Sequence, residues 1–167
     1  MAVAAKQAGV RVYHLNIGQP DIPSPPKALE AIRGWDGEVL AYGFSEGEPW
    51  LRERMARYYS RALGRQVDPE DIFITTAGSE AIVFALTAVA DPGDEVIVFE
   101  PLYTNYIGFA RMASVELVPI TLSVESRFHL PPKEEIEKKI TPRTKAIIIC
   151  TPNNPTGAVY TPEEMAA

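Results

Sequence analysis

From residue 71 onward the chain alternates short apolar runs with helical segments, and this alternation restricts the possible folds more than any other feature. "DIFITT" (71–76), "EVIVF" (95–99), "VELVPI" (115–120) and "KAIIIC" (145–150) read as strands. Between them, "SEAIVFALTAVA" (79–90), "NYIGFARMAS" (105–114) and "PKEEIEKKI" (132–140) carry helical spacing. Strands that are apolar throughout, rather than at every second residue, need cover on both faces. The expected architecture is therefore α/β, a three-layer αβα arrangement around a mostly parallel sheet. In such sheets ligands bind beyond the carboxyl ends of the strands. The loops after residues 76, 99 and 150 are the places to look for a site.

The first seventy residues are less regular. "RVYHL" (11–15) reads as a short extended piece, and "NIGQPDIPSPP" is too rich in Pro, Gly and Asp for regular structure. "KALEAIRGW" has helical spacing and ends near Gly34. "PWLRERMARYYSRALG" is an amphipathic helix, with Pro49 placed to start it and Gly64 to stop it. At the other end "TPEEMAA" opens a helix, with Thr161 as N-cap and Glu164 in capping-box position.

Composition narrows the partners. A formal net charge of −6 argues against nucleic acid or an anionic membrane, both of which select basic surfaces. It leaves room for a small anion, because backbone amides bind phosphate without net positive charge. The single cysteine, Cys150, excludes an intrachain disulfide and fits a reducing compartment. The start has no apolar stretch of signal-peptide length, and no run of about 18 apolar residues occurs. The expectation is a soluble cytoplasmic protein with no metal, no nucleic acid and no membrane among its partners.

Each of the three loops offers groups for chemistry and also has an ordinary explanation. "TTAGSEA" (75–81) is a small-residue turn opening a helix. Free amides at Gly78, Ser79 and Glu80, with the Ser79 hydroxyl, would form an anion site on the positive end of the helix dipole. An N-cap serine on a plain connection also accounts for it. "FEPLYTNY" (99–106) places Tyr103 and Tyr106 after a strand. Such a tyrosine can stack on a flat heteroaromatic ring, or simply pack the next helix. "CTPNNPTG" (150–157) puts two asparagines before a Pro-Thr-Gly turn. An asparagine here can donate to a ligand oxygen or close an Asx-type turn.

Taken together at these spacings, "NIGQPDIPSP", "AYGFSEGEPWLRE", "TTAGSEAI", "DPGDEVIVFEPLYTNY" and "TPNNPTGAVYTPEE" resemble the N-terminal part of a fold-type I pyridoxal-phosphate-dependent aminotransferase of class I/II, in the aspartate aminotransferase superfamily. The resemblance covers nearly the whole chain in the family's order. It implies that residues 1–40 belong to the small domain and substrate loop, and 41–167 to an incomplete large domain that binds pyridoxal 5'-phosphate. It places Gly18 against the substrate carboxylate, where a Cβ would obstruct approach, with Asn16, Gln19 and Pro20 shaping the loop. Gly78, Ser79 and Glu80 match the phosphate-binding segment, Glu80 through its backbone. Tyr103 matches the residue that stacks on the pyridine ring. Asn154 matches the donor to the phenolic oxygen, which leaves Asn153 a structural part. Tyr42 matches a tyrosine that reaches the phosphate of a neighbouring subunit, implying a homodimer. His14 and His129 match nothing catalytic, Tyr106 reads as packing, and Cys150 reads as an inert apolar residue.

The implied activity is transfer of an amino group between an amino acid, aspartate-like or from a broad range, and a 2-oxo acid. A carbon–sulfur β-lyase of the same fold, or a noncatalytic relative, are the alternatives. A nucleotide-binding domain would need a glycine fingerprint that "TTAGSEA" lacks. The family also uses an aspartate at the pyridinium nitrogen, a lysine that carries the cofactor, and an arginine clamp on the substrate carboxylate. No segment matched here supplies them. Lys133, Lys138, Lys139 and Lys145 lie on a polar helix or its flank. The expectation is a fragment without the catalytic lysine, inactive by itself.

Overall fold

The computed structural model describes residues 1–14 and 18–166, and the chain divides into two units, Met1–Tyr42 and Gly43–Ala167. Leu15, at the end of the expected extended piece, and Asn16 lie outside the described residues.

The first unit contains α1 (Ala2–Gln7) and α2 (Pro26–Arg33), neither of which buries a residue. Helix α2 follows the sequence, with Pro26 in its first turn and Gly34 closing it. Helix α1 was not anticipated. Its alanines favour helix, but no side chain caps its start, so it announces itself by propensity alone.

The second unit opens with α3 (Pro49–Leu63), which ends where Gly64 turns to a left-handed φ of +63°. Arg52 Nε donates to Pro69 O at 3.0 Å, and Val67 N donates to Ser60 Oγ at 2.9 Å, fastening α3 to the turn at Pro69–Asp71. Then follow α4 (Gly78–Val89), β1 (Glu95–Glu100), α5 (Asn105–Met112), β2 (Glu116–Thr121), α6 (Lys133–Glu137), β3 (Thr144–Ile148) and α7 (Pro162–Ala166).

The sheet has three strands in the order β2-β1-β3, and both pairings are parallel. The strand expected at 71–76 is a correction. Its backbone is extended at Ile72, but among the described residues no strand pairs with it, and Ile74 N donates instead to Glu46 O at 2.9 Å. An apolar run is a strand only where a neighbour offers a hydrogen-bonding edge, and sequence pattern cannot supply one.

Central strand β1 explains its uninterrupted apolar run. Val96 packs with Leu86, Ala90, Ala110 and Val115, on the side of α4 and α5. Ile97 and Phe99 pack with Ile120 and Leu122, and with the partly buried Phe128, Leu130 and Ile136 of α6 and its approach. Helical cover on both faces is what a parallel sheet of this composition requires. At the amino end of the sheet the buried carboxylate of Glu95 accepts from Thr141 Oγ1 at 2.6 Å and pairs with the Arg143 guanidinium. The Thr141 hydrogen bond foremost, with Arg143, holds this carboxyl below its ordinary range against the opposing effect of desolvation. This network stands at the edge opposite the loops of interest, so it supports the scaffold.

The capping box of α7 forms as expected. Thr161 N donates to Glu164 Oε2 at 2.7 Å, and Glu164 N donates to Thr161 Oγ1 at 3.2 Å. The same carboxylate accepts from Leu130 N at 3.0 Å and meets His129 Nδ1 at 3.0 Å. His129 is therefore engaged in joining its loop to α7, a role its sequence context did not reveal.

Candidate functional site

Two loops meet because their strands are neighbours. Strands β1 and β3 run parallel in one ladder, so the segments that follow them, 101–104 and 149–157, leave the sheet at the same edge. A direct bond joins them, from Asn153 Nδ2 to Pro101 O at 3.2 Å. The start of α4 is directed to that edge by chain geometry. Helix α4 packs on Val96 through Leu86, with Ala90 just past its end, and leads into the amino end of β1 across the five residues 90–94. A helix connected in this way runs antiparallel to the strand, so its amino end points toward the strand's carboxyl end.

At that end, Gly78 and Ser79 open α4, and no hydrogen bond within the described residues uses their amides. Three free amides were expected, but Glu80 N donates to Ala77 O at 3.1 Å, so two remain. The Glu80 side chain turns back to accept from Thr76 N at 2.6 Å. Gly78 and Ser79 are exposed, and a Cβ on Gly78 would meet no other part of the chain within 4 Å, so this turn is open to solvent. Two unengaged amides at a helix dipole's positive end, facing open space, suit a phosphate.

Tyr103 is half-buried, and its ring meets Tyr106 edge-on, with centroids 5.5 Å apart and planes at 89°. Its hydroxyl accepts from Asn105 Nδ2 at 2.6 Å. Tyr106 is buried, as the packing reading expected. Burial first, then the Cys150 hydrogen bond, pushes its phenol up to about 12, so it stays protonated. Cys150 is half-buried rather than a plain core residue, and its thiol also donates to Pro152 O at 3.4 Å. Below these loops Val98, Leu102, Tyr106, Cys150, Asn153 and Tyr160 line a small void.

The two asparagines divide sharply. Asn153 is 7% exposed and hydrogen-bonded through side chain and backbone, whereas Asn154 is exposed. No hydrogen bond among the described residues engages the Asn154 side chain, which leaves its amide able to meet a ligand. Tyr160, which sequence reasoning passed over, is buried and lines this void beside Asn153; its phenol is raised chiefly by desolvation. A signal existed, since the residue just before an N-cap such as Thr161 commonly turns an apolar side chain inward.

The other two expected residues lie in the first unit. Gly18 is exposed, and a Cβ there would meet no atom within 4 Å, so packing within the chain does not require glycine. Tyr42 is fully exposed. No helix among the described residues is long and apolar enough to cross a membrane.

The described donors fit pyridoxal 5'-phosphate in kind: open helix-end amides for a phosphate, an aromatic face for a ring, and a free amide for a ring oxygen. Comparison with known proteins identifies the family. The sequence model described as "Aminotransferase class I and II" matches residues 10–167. The aspartate/prephenate aminotransferase of Thermus thermophilus is 37% identical over 171 residues, covering 99% of this chain and 43% of that protein. Among solved structures, an aspartate aminotransferase from Thermotoga maritima superposes with a TM-score of 0.89 at 34% identity, over 98% of this chain and 44% of that one. The N-succinyldiaminopimelate aminotransferase from Mycobacterium tuberculosis gives a TM-score of 0.83 at 35% identity, over 99% and 43% respectively. The chain thus spans less than half the length of these relatives.

Proposed function

The chain belongs to the class I and II aminotransferases, and from that premise we propose that it forms one side of a pyridoxal-phosphate site for transferring an amino group between an amino acid and a 2-oxo acid. The observation that carries this reading is the meeting of two loops at one sheet edge, one bearing Tyr103 and the other Asn154, bonded through Asn153 and Pro101. The relatives named above are all aminotransferases, which favours amino transfer over carbon–sulfur lyase chemistry.

The amides of Gly78 and Ser79, with the Ser79 hydroxyl, hold the phosphate, and the backbone of Glu80 shapes their turn. Tyr103 covers one face of the ring and excludes water from it. Asn154 donates its side-chain amide to the phenolic oxygen, which favours the ionised form of that oxygen. Gly18 lets the substrate carboxylate come close to backbone. Tyr42, free of its own unit's packing, reaches the phosphate of a second copy, so the assembly is a homodimer with shared sites. When bound, the cofactor supplies an electron-withdrawing ring. The substrate range is aspartate-like or broad.

The test is a fluorescence titration with pyridoxal 5'-phosphate and, separately, with pyridoxal. The phosphate ester should bind at least tenfold more tightly, and Asn154→Ala should weaken it by roughly tenfold or more, the worth of one hydrogen bond to a charged group. Equal binding of the two compounds, or an unaltered Asn154→Ala variant, would overturn the assignment.

A further inference from the structure

Among the described residues, Asn153 is the only side chain that bonds the two ring-binding loops directly, and we propose that it is a positioning residue: its amide sets the spacing between Tyr103 and Asn154. The inference rests on the cofactor reading above.

A buried amide is stable only when its polar atoms find partners. At 7% exposure, Asn153 uses Nδ2 to bridge 52 residues of sequence to Pro101 O. Its main chain is pinned at the same time. Asn153 N donates to Ala158 O at 2.8 Å, and Asn153 O accepts from Gly157 N at 2.8 Å. The residue therefore cannot slide along its own loop, and any force on Pro101 passes straight to it. Tyr160, 6% exposed, lines the same small void as Asn153. Tyr103 lies two residues beyond one end of this bridge, and Asn154 lies next to the other.

The consequence is geometric. The ring-stacking group and the oxygen donor sit on separate loops, and each alone could shift independently of the other. A misplacement of about 1 Å in a positioning group can lower a rate by 10²-fold. One short side chain with a donor at its tip, its own backbone pinned at one end and Pro101 O bound at the other, removes that freedom. Aspartate is nearly the same shape but cannot donate when ionised. Histidine keeps a donor nitrogen at the same distance from the backbone.

The experiment compares the protein with its Asn153→Asp and Asn153→His variants in three measurements. Amide hydrogen exchange without cofactor should be about tenfold faster at residues 102–105 in Asn153→Asp, and unchanged at residues 96–98 of β1. Affinity for pyridoxal 5'-phosphate should fall about tenfold, while affinity for inorganic phosphate, held at α4, stays the same. Asn153→His should restore both quantities to within about threefold. A general loss of structure would instead weaken phosphate and cofactor alike and speed exchange in β1. That result, or unchanged exchange at 102–105, overturns the proposal. Should the unaltered protein bind phosphate but not the cofactor, the cofactor reading fails, and the exchange contrast still decides whether Asn153 clamps the loops.

Discussion

Replacing Leu86 by alanine should remove roughly 3 kcal/mol of stability, and the figure follows from where Leu86 sits. The side chain is 3% exposed, between Ala90 just past the end of its own helix, Val96 on β1, and Ala110 and Val115. Truncation removes three carbons, at about 0.8 kcal/mol each for lost transfer from water, or roughly 2.4 kcal/mol. A cavity term follows, about 24 cal/mol per Å³ of space that does not collapse. Two of the four buried neighbours are alanines, which have no side chain to swing into the gap, so collapse is partial. A residual void of about 40 Å³ adds roughly 1 kcal/mol. Against a total of about 5–15 kcal/mol for a domain, the loss is severe. Urea unfolding measures it: the midpoint should fall with the slope unchanged, and Leu86→Met, close in volume, should lose less than about 1.5 kcal/mol. A loss below about 1 kcal/mol for Leu86→Ala at constant slope would show that α4 is not seated on β1 as described, and with it the direction of its amino end.

Gly78→Ala meets no clash, so stability should hold or rise by up to about 1 kcal/mol. Phosphate affinity by calorimetry should nevertheless fall, and an unchanged affinity would remove the anion role from this turn. Tyr103→Phe should retain most cofactor affinity and Tyr103→Ala lose much of it, whereas equal losses in both would point to the hydroxyl. The Glu164 carboxyl is held below its ordinary value of 4.5, first by the Thr161 amide and then by His129. A depressed carboxyl contributes stability above its unfolded pKa and loses it as pH falls through the lower folded value, with desolvation opposing ionisation. Glu164→Gln should therefore flatten the decline of melting temperature in the acid range below 4.5, and an unaltered profile would refute the latch.

Local pattern alone determined most of the elements here. Pro49 and Gly64 bound α3, and Thr161 with Glu164 caps α7, because caps and breakers act within a few residues of themselves. The continuous apolar run of β1 declared its burial on both faces for the same reason. Tertiary structure decided what depends on a distant partner. Residues 71–76 have the same apolar character as β1, yet among the described residues they find no strand to pair with. By position in the sequence Glu80 offers a free amide, but the turn to Ala77 takes it. The division of labour between the adjacent asparagines shows the difference most clearly. Motif resemblance separated Asn154 from Asn153, but it could not tell what Asn153 does. Its partner, Pro101, is 52 residues away, and only the pairing of β1 with β3 brings that carbonyl within 3.2 Å of the amide.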